Sequence, residues 1–144
     1  MDVTLYDIAQ RFVGVREIPG RADNPLILSM LKLDVDWPAD DEVPWCSAFL
    51  NYCAWLLRLP RSKSLAARSW LAVGKPVPLV EAAMGFDVVV LWRGSEGGPG
   101  GHVGLFAGLG SKAHTVMLLA GNQNAAVSLA PFTADRVLGV RRLI

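Results

Sequence analysis

With 144 residues, 52% of them hydrophobic, the chain has apolar side chains enough for one core and too little length for two. Fourteen Lys and Arg against thirteen Asp and Glu leave a net charge of +1, and no basic run builds the footprint that nucleic acid or an anionic membrane requires. Acidic residues stand at positions 2 and 7, where an export signal needs positive charge, and no apolar run approaches the ~18 residues of a membrane span. The expectation is one domain over residues 1–144, made in the cytoplasm without a signal peptide and not inserted in a membrane.

Leu5, Ile8, Ala9, Phe12 and Val13 recur at helical spacing, with Thr4 as N-cap and Gly14 as stop, so a first helix is predicted there. Asn24-Pro25 supplies a cap followed by proline at the first helical position, and Ile27, Met30 and Leu31 form the apolar face of a short second helix. Residues 32–43 alternate acidic and apolar; Asp34, Asp36, Asp40, Asp41 and Glu42 read as solvated or capping carboxylates of a surface loop. From Pro44 to about residue 57, the stripe Phe49, Leu50, Cys53, Ala54 and Leu57 predicts a long core helix whose opening turn holds Cys46. A shorter helix is expected over 64–73, ended by Gly74, and Pro76 and Pro78 close the helical half.

Downstream, β-branched and apolar runs at 87–92, 102–107, 115–120, 126–129 and 136–141 are separated by turns too short for crossover helices. They predict an antiparallel sheet. Helices first and strands second make an α+β domain, with N-terminal helices packed on a C-terminal antiparallel β-sheet. The glycine-rich stretch 94–101 reads as a flexible loop between strands; it lacks the ending of a phosphate-binding loop.

Cys46 follows Trp45 in the first turn of the long helix, where unpaired N–H groups and the helix dipole favour a thiolate. Cys53 lies two turns deeper on the same stripe and reads as a small buried hydrophobe, ~10 Å from Cys46 and beyond bridging distance. Two histidines and two cysteines without metal-ligand spacing support no metal site, and no cofactor is expected. A thiol nucleophile needs an imidazole partner. His102, at the start of a strand beside the glycine-rich loop, suits that role better than His114, which falls in a turn. If the strands of His102 and Thr115 form a hairpin, His102 and Asn122 share an edge, and a side-chain amide from 122–124 can orient the ring. An ordinary turn is the plainer reading of Gly121-Asn122-Gln123-Asn124.

Taken in order, Glu17-Ile18-Pro19-Gly20, Asn24-Pro25, Pro44-Trp45-Cys46-Ser47-Ala48-Phe49-Leu50-Asn51, Gly101-His102-Val103-Gly104 and Gly121-Asn122-Gln123 resemble the NlpC-type and CHAP-type branches of the papain-like cysteine peptidases. The nearest likeness is to small phage-associated, endolysin-like cell-wall hydrolases. The resemblance implies a papain-like α+β fold with Cys46 as nucleophile, His102 as base and a polar third residue. For the third, Asn122 is preferred to His114 and Gln123, and Trp45 and Gln123 are expected to line the substrate cleft. The implied activity is that of a peptidoglycan hydrolase, amidase or endopeptidase, cutting an amide bond of the stem peptide. Peptidoglycan is the expected partner of a monomeric enzyme that a holin, a phage tail or a secretion apparatus would deliver to the cell wall in the periplasm. The alternatives are a non-catalytic wall-binding or particle component and a thiol acyltransferase on the same fold.

Overall fold

The computed structural model describes residues 2–18, 24–34 and 44–144. Helix α1 (Leu5–Gln10) opens on a capping box: Asp7 N–H donates to Thr4 Oγ1 at 3.1 Å, and Thr4 N–H to Asp7 Oδ2 at 2.9 Å. Helix α2 (Pro25–Lys32) starts with Asn24 Oδ1 accepting from Leu26 N–H at 2.9 Å. Both starts agree with the sequence reading because caps are local. Helix α3 (Cys46–Leu56) is buried at eight of its first nine positions, including Ser47 and Asn51, because the sheet covers one side and α1 and α2 cover others. An apolar stripe therefore understates its contacts.

The segment expected to be a helix over 64–73 is a shorter 3-10 turn, Ala67–Ala72, with Trp70 fully buried. A buried polar cluster ties it to α3. Trp70 Nε1–H donates to Ser47 Oγ at 2.9 Å, while Asn51 Nδ2 donates to the carbonyls of Ser47 and Ser64 at 3.1 and 3.2 Å. Asn51 Oδ1 accepts from Lys63 N–H at 3.0 Å. Each polar atom that α3 takes into the core is thus matched, which burial demands.

Six strands follow: β1 (Lys75–Val77), β2 (Asp87–Trp92), β3 (Gly101–Leu109), β4 (Thr115–Gln123), β5 (Ala126–Thr133) and β6 (Val137–Arg142). They form one antiparallel sheet in the order β1-β6-β2-β3-β4-β5. The α+β expectation holds, with one strand more than the sequence predicts. β1 is that strand. Pro76 lacks an N–H, yet at a sheet edge that donor is dispensable, and three residues pair with β6.

Val88, Val90, Val103, Leu105 and Leu119 face the helices and join the main core with Trp45, Phe49 and Leu50. Val89, Leu91, Phe106, Leu118 and Val140 form a second core on the opposite face. Asp87, almost fully buried, anchors the sheet's far side: Arg142 donates to its two oxygens at 2.7 and 2.8 Å.

Two loop expectations change. Asp34 is not a solvated carboxylate but accepts from Arg61 Nη1 at 3.0 and 3.1 Å with only 5% of its side chain exposed; Asp36, Asp40, Asp41 and Glu42 lie outside the described residues. The glycine-rich connection is not slack either. Arg68 reaches across from the 3-10 turn and donates to the carbonyls of Ser95, Glu96 and Gly100, each at 2.8 Å. Three charge-assisted bonds hold the loop beside the start of β3.

Candidate active site

Cys46 is the first residue of α3, and no side chain caps that helix. Backbone N–H groups of Val103, Ser47 and Cys46 itself point to the sulfur, and the guanidinium of Arg93 adds a favourable field. These stabilise a thiolate, but removal from water opposes one and is the largest effect, so the thiol is pushed up and stays protonated at rest. The residue is 5% exposed. Both cysteines are free, and Cys53, also buried, has its thiol driven up by burial alone.

Val103 is the neighbour of His102 on β3, but no hydrogen bond joins the Cys46 sulfur to the His102 ring. Adjacent strand residues face opposite sides, Val103 toward the α3 core and His102 toward Phe132. His102 is wholly buried, its ring 5.3 Å from that of Phe132. Gln123 sets its tautomer. Gln123 Nε2 donates to Ser128 O at 2.7 Å, which turns the amide oxygen toward the imidazole at 2.9 Å. An amide oxygen only accepts, so His102 Nε2 carries the hydrogen. Nδ1 then bears a lone pair, and it is buried with no hydrogen-bond partner among the described residues. Few buried nitrogens go unmatched, so Nδ1 is the open position on this ring.

Sequence reasoning aimed Asn122 at this ring, and the geometry brings Gln123 there. The β3–β4 pairing, Leu105 with Leu119 and Phe106 with Leu118, does project residue 122 opposite His102. However, β4 carries a bulge between Ala120 and Gln123, with Asn122 in the left-handed region at φ 59. The extra residue advances the strand by one, and Gln123 inherits the position. His114 is elsewhere, on an exposed turn, its Nε2 at 2.6 Å from Asp135 Oδ1.

Trp45 does not line a cleft. Its indole is fully buried, donates to Glu17 Oε1 at 2.8 Å and packs on Gly121, where an added Cβ would fall 2.6 Å from the ring. Gln123 is 5% exposed, and His102 and Ser128 occupy its amide. The bracing by Arg68, the field of Arg93 and the Glu17–Trp45 bond were not legible from local pattern, since each acts across a long separation. Neither Cys46 nor His102 lines any of three clefts found among the described residues. Among those residues no group of His, Cys, Asp and Glu is arranged to hold a metal, and no helix is long and apolar enough to cross a membrane.

No protein-family model matches the sequence, and no curated protein is similar to it. A solved structure is similar in three dimensions: NlpC1 from Trichomonas vaginalis, with a TM-score of 0.56 at 13% identity, over 96% of this chain. The chain has an NlpC-like, papain-like fold. It spans 42% of the length of the NlpC1 chain.

Burial holds the His102 imidazole down at about 4 against an ordinary 6.5, with the Gln123 bond offsetting part of the effect. Between those two pH values the unfolded chain binds a proton that the folded one refuses. Stability contributed by the neutral ring is therefore complete above pH 6.5 and is lost as pH falls toward 4, up to about 3 kcal/mol. Urea midpoints at pH 7 and pH 4.5 should differ by more in the parent than in His102→Gln; equal differences would show that the ring is not held neutral.

Proposed function

We propose that the chain is a thiol hydrolase of peptidoglycan, an amidase or endopeptidase that cuts an amide bond in the stem peptide. The observation that carries this reading is the unpartnered Nδ1 of buried His102, one residue along β3 from Val103, whose backbone N–H acts on the Cys46 sulfur at the tip of α3. Cys46 Sγ attacks the amide carbonyl as its proton passes to Nδ1, which suits a couple neutral at rest. The oxyanion gathers at the N-terminus of α3, where the Cys46 N–H adds a hydrogen bond to the helix dipole. His102 then protonates the leaving amine as the C–N bond breaks. Water, losing a proton to the same nitrogen, hydrolyses the thioester and returns the thiol. Gln123 acts through His102, accepting from Nε2–H so that the ring keeps its tautomer and angle. The NlpC-like fold supports the reading at the level of architecture.

The burial of both reactive groups favours a second reading, a wall-binding or particle component that keeps the fold without using the thiol. Digestion of purified sacculi separates the two. The hydrolase releases soluble fragments whose masses place one new amine and one new carboxyl at a single amide bond. Sacculi that bind the protein and shed nothing would decide for the second reading.

A further inference from the structure

We infer that the C-terminal end of α3 bears a second binding site, a cleft for an acidic glycan, about 15 Å along the helix from the thiol. The cleft encloses about 730 Å³ between the last turn of α3 and residues 58–63. Trp55 and Leu56 stand on its wall 48% and 42% exposed, an apolar helix end that nothing covers among the described residues. Tyr52 leans on the indole at 5.9 Å between centroids and so limits its motion.

Three cations share the cleft, and one is already committed, Arg61 to Asp34. The side chains of Arg58 and Lys63 have no hydrogen-bond or ion-pair partner among the described residues. Both have left-handed backbones, φ 56 and 57, a conformation that costs long side chains about 1 kcal/mol or more and that Gly or Asn takes more readily. Lys63 is held in it by Asn51, whose Oδ1 takes the Lys63 N–H from inside the core. A cation after a helix C-terminus gains from the dipole, which accounts for Arg58 but not for Lys63. Two unmatched cations kept at unfavourable backbone positions beside an exposed indole suit a ligand with anionic groups and flat C–H faces. A saccharide polymer bearing carboxylates or phosphates has both. Nucleic acid is disfavoured because two free cations and a net charge of +1 neutralise too few phosphates.

The test uses full-length protein carrying Cys46→Ala, so that binding is read without cleavage and independently of whether the thiol is catalytic. Co-sedimentation is measured with purified sacculi, with sacculi stripped of phosphate polymers by hydrofluoric acid, and with sacculi whose carboxyls have been amidated. Adding Arg58→Asn with Lys63→Asn should weaken binding roughly tenfold, and Trp55→Ala should do the same. The double Asn variant should melt no lower than its parent, since asparagine accepts the left-handed backbone, so its loss of binding cannot be unfolding. Weakening by amidation identifies carboxylate as the anion, and weakening by acid stripping identifies phosphate. Equal sedimentation of the double variant and its parent would overturn the site, as would tighter binding to duplex DNA than to sacculi.

Discussion

Cys46→Ala should abolish release of fragments from sacculi, a loss on the order of 10⁴-fold or more, while changing stability by about 1 kcal/mol or less. The first half follows from chemistry: the chain's other thiol, Cys53, is buried seven residues further along α3 and cannot replace Cys46 as the acyl carrier. The second follows from size, since alanine fills most of the thiol's volume and no disulfide is lost. His102→Gln should cost as much activity. The informative comparison is at the third position. Gln123→Ala removes the acceptor of the Nε2 hydrogen, freeing the ring to turn and to move its proton to Nδ1, and should lower kcat about 10²-fold with little change in KM. Gln123→Glu keeps an acceptor and should raise the imidazole's affinity for a proton, shifting the acid limb of the pH–rate profile upward. Asn122→Ala and His114→Ala should stay within about twofold of the parent, because one side chain sits on a bulge and the other pairs with Asp135 at the surface. A loss at Asn122 equal to that at Gln123 would mean that the bulge rearranges when substrate binds.

That comparison also marks where sequence reasoning runs out. Helix starts were legible because Thr4 with Asp7, and Asn24 with Pro25, meet their partners within one turn. Strands β2 to β6 were legible from β-branched runs, since alternation reports a pleated, half-covered surface. Register was not. Counting across a hairpin assumes one residue for one, and a single bulged residue makes every later position wrong by one. The usable signal was the residue type: Asn tolerates φ above zero, so Asn122 was a better candidate for the bulge than for the base's partner. β1 was hidden because Lys75-Pro76-Val77 has little strand character of its own and pairs only because β6 offers an edge. The bracing of the glycine-rich loop by Arg68 was hidden by the 27 to 32 residues between them. The places of Cys46 at a helix tip and of His102 at a strand start were legible because both are local features. Their burial was not, because it depends on everything packed around them.

Gly121→Ala should destabilise the fold by about 3 kcal/mol, a fall of roughly 10 °C in melting temperature, although it adds only one methyl group. Its Cβ would lie 2.6 and 2.7 Å from Cζ3 and Cε3 of Trp45 and 2.9 Å from Cβ of Phe49. None of these atoms yields easily. The indole is fully buried and tied to Glu17, and the Phe49 Cβ is fixed to the backbone of α3, which the sheet and two helices hold in place. Relief requires α3 to lift from β4 or Trp45 to leave its rotamer, and either movement displaces Cys46, the next residue. Activity should therefore fall by more than the unfolded fraction at the assay temperature explains. Trp45→Leu removes the ring that the methyl group meets, so in that background Gly121→Ala should cost about 1 kcal/mol, a coupling of about 2 kcal/mol in a double-mutant cycle. Equal cost in the two backgrounds would place the strain at Phe49 and leave the nucleophile's position independent of this contact. The expected coupling instead makes the contact between Gly121 and Trp45 the joint that sets the height of the α3 N-terminus above the sheet, and hence the approach of the thiol to β3.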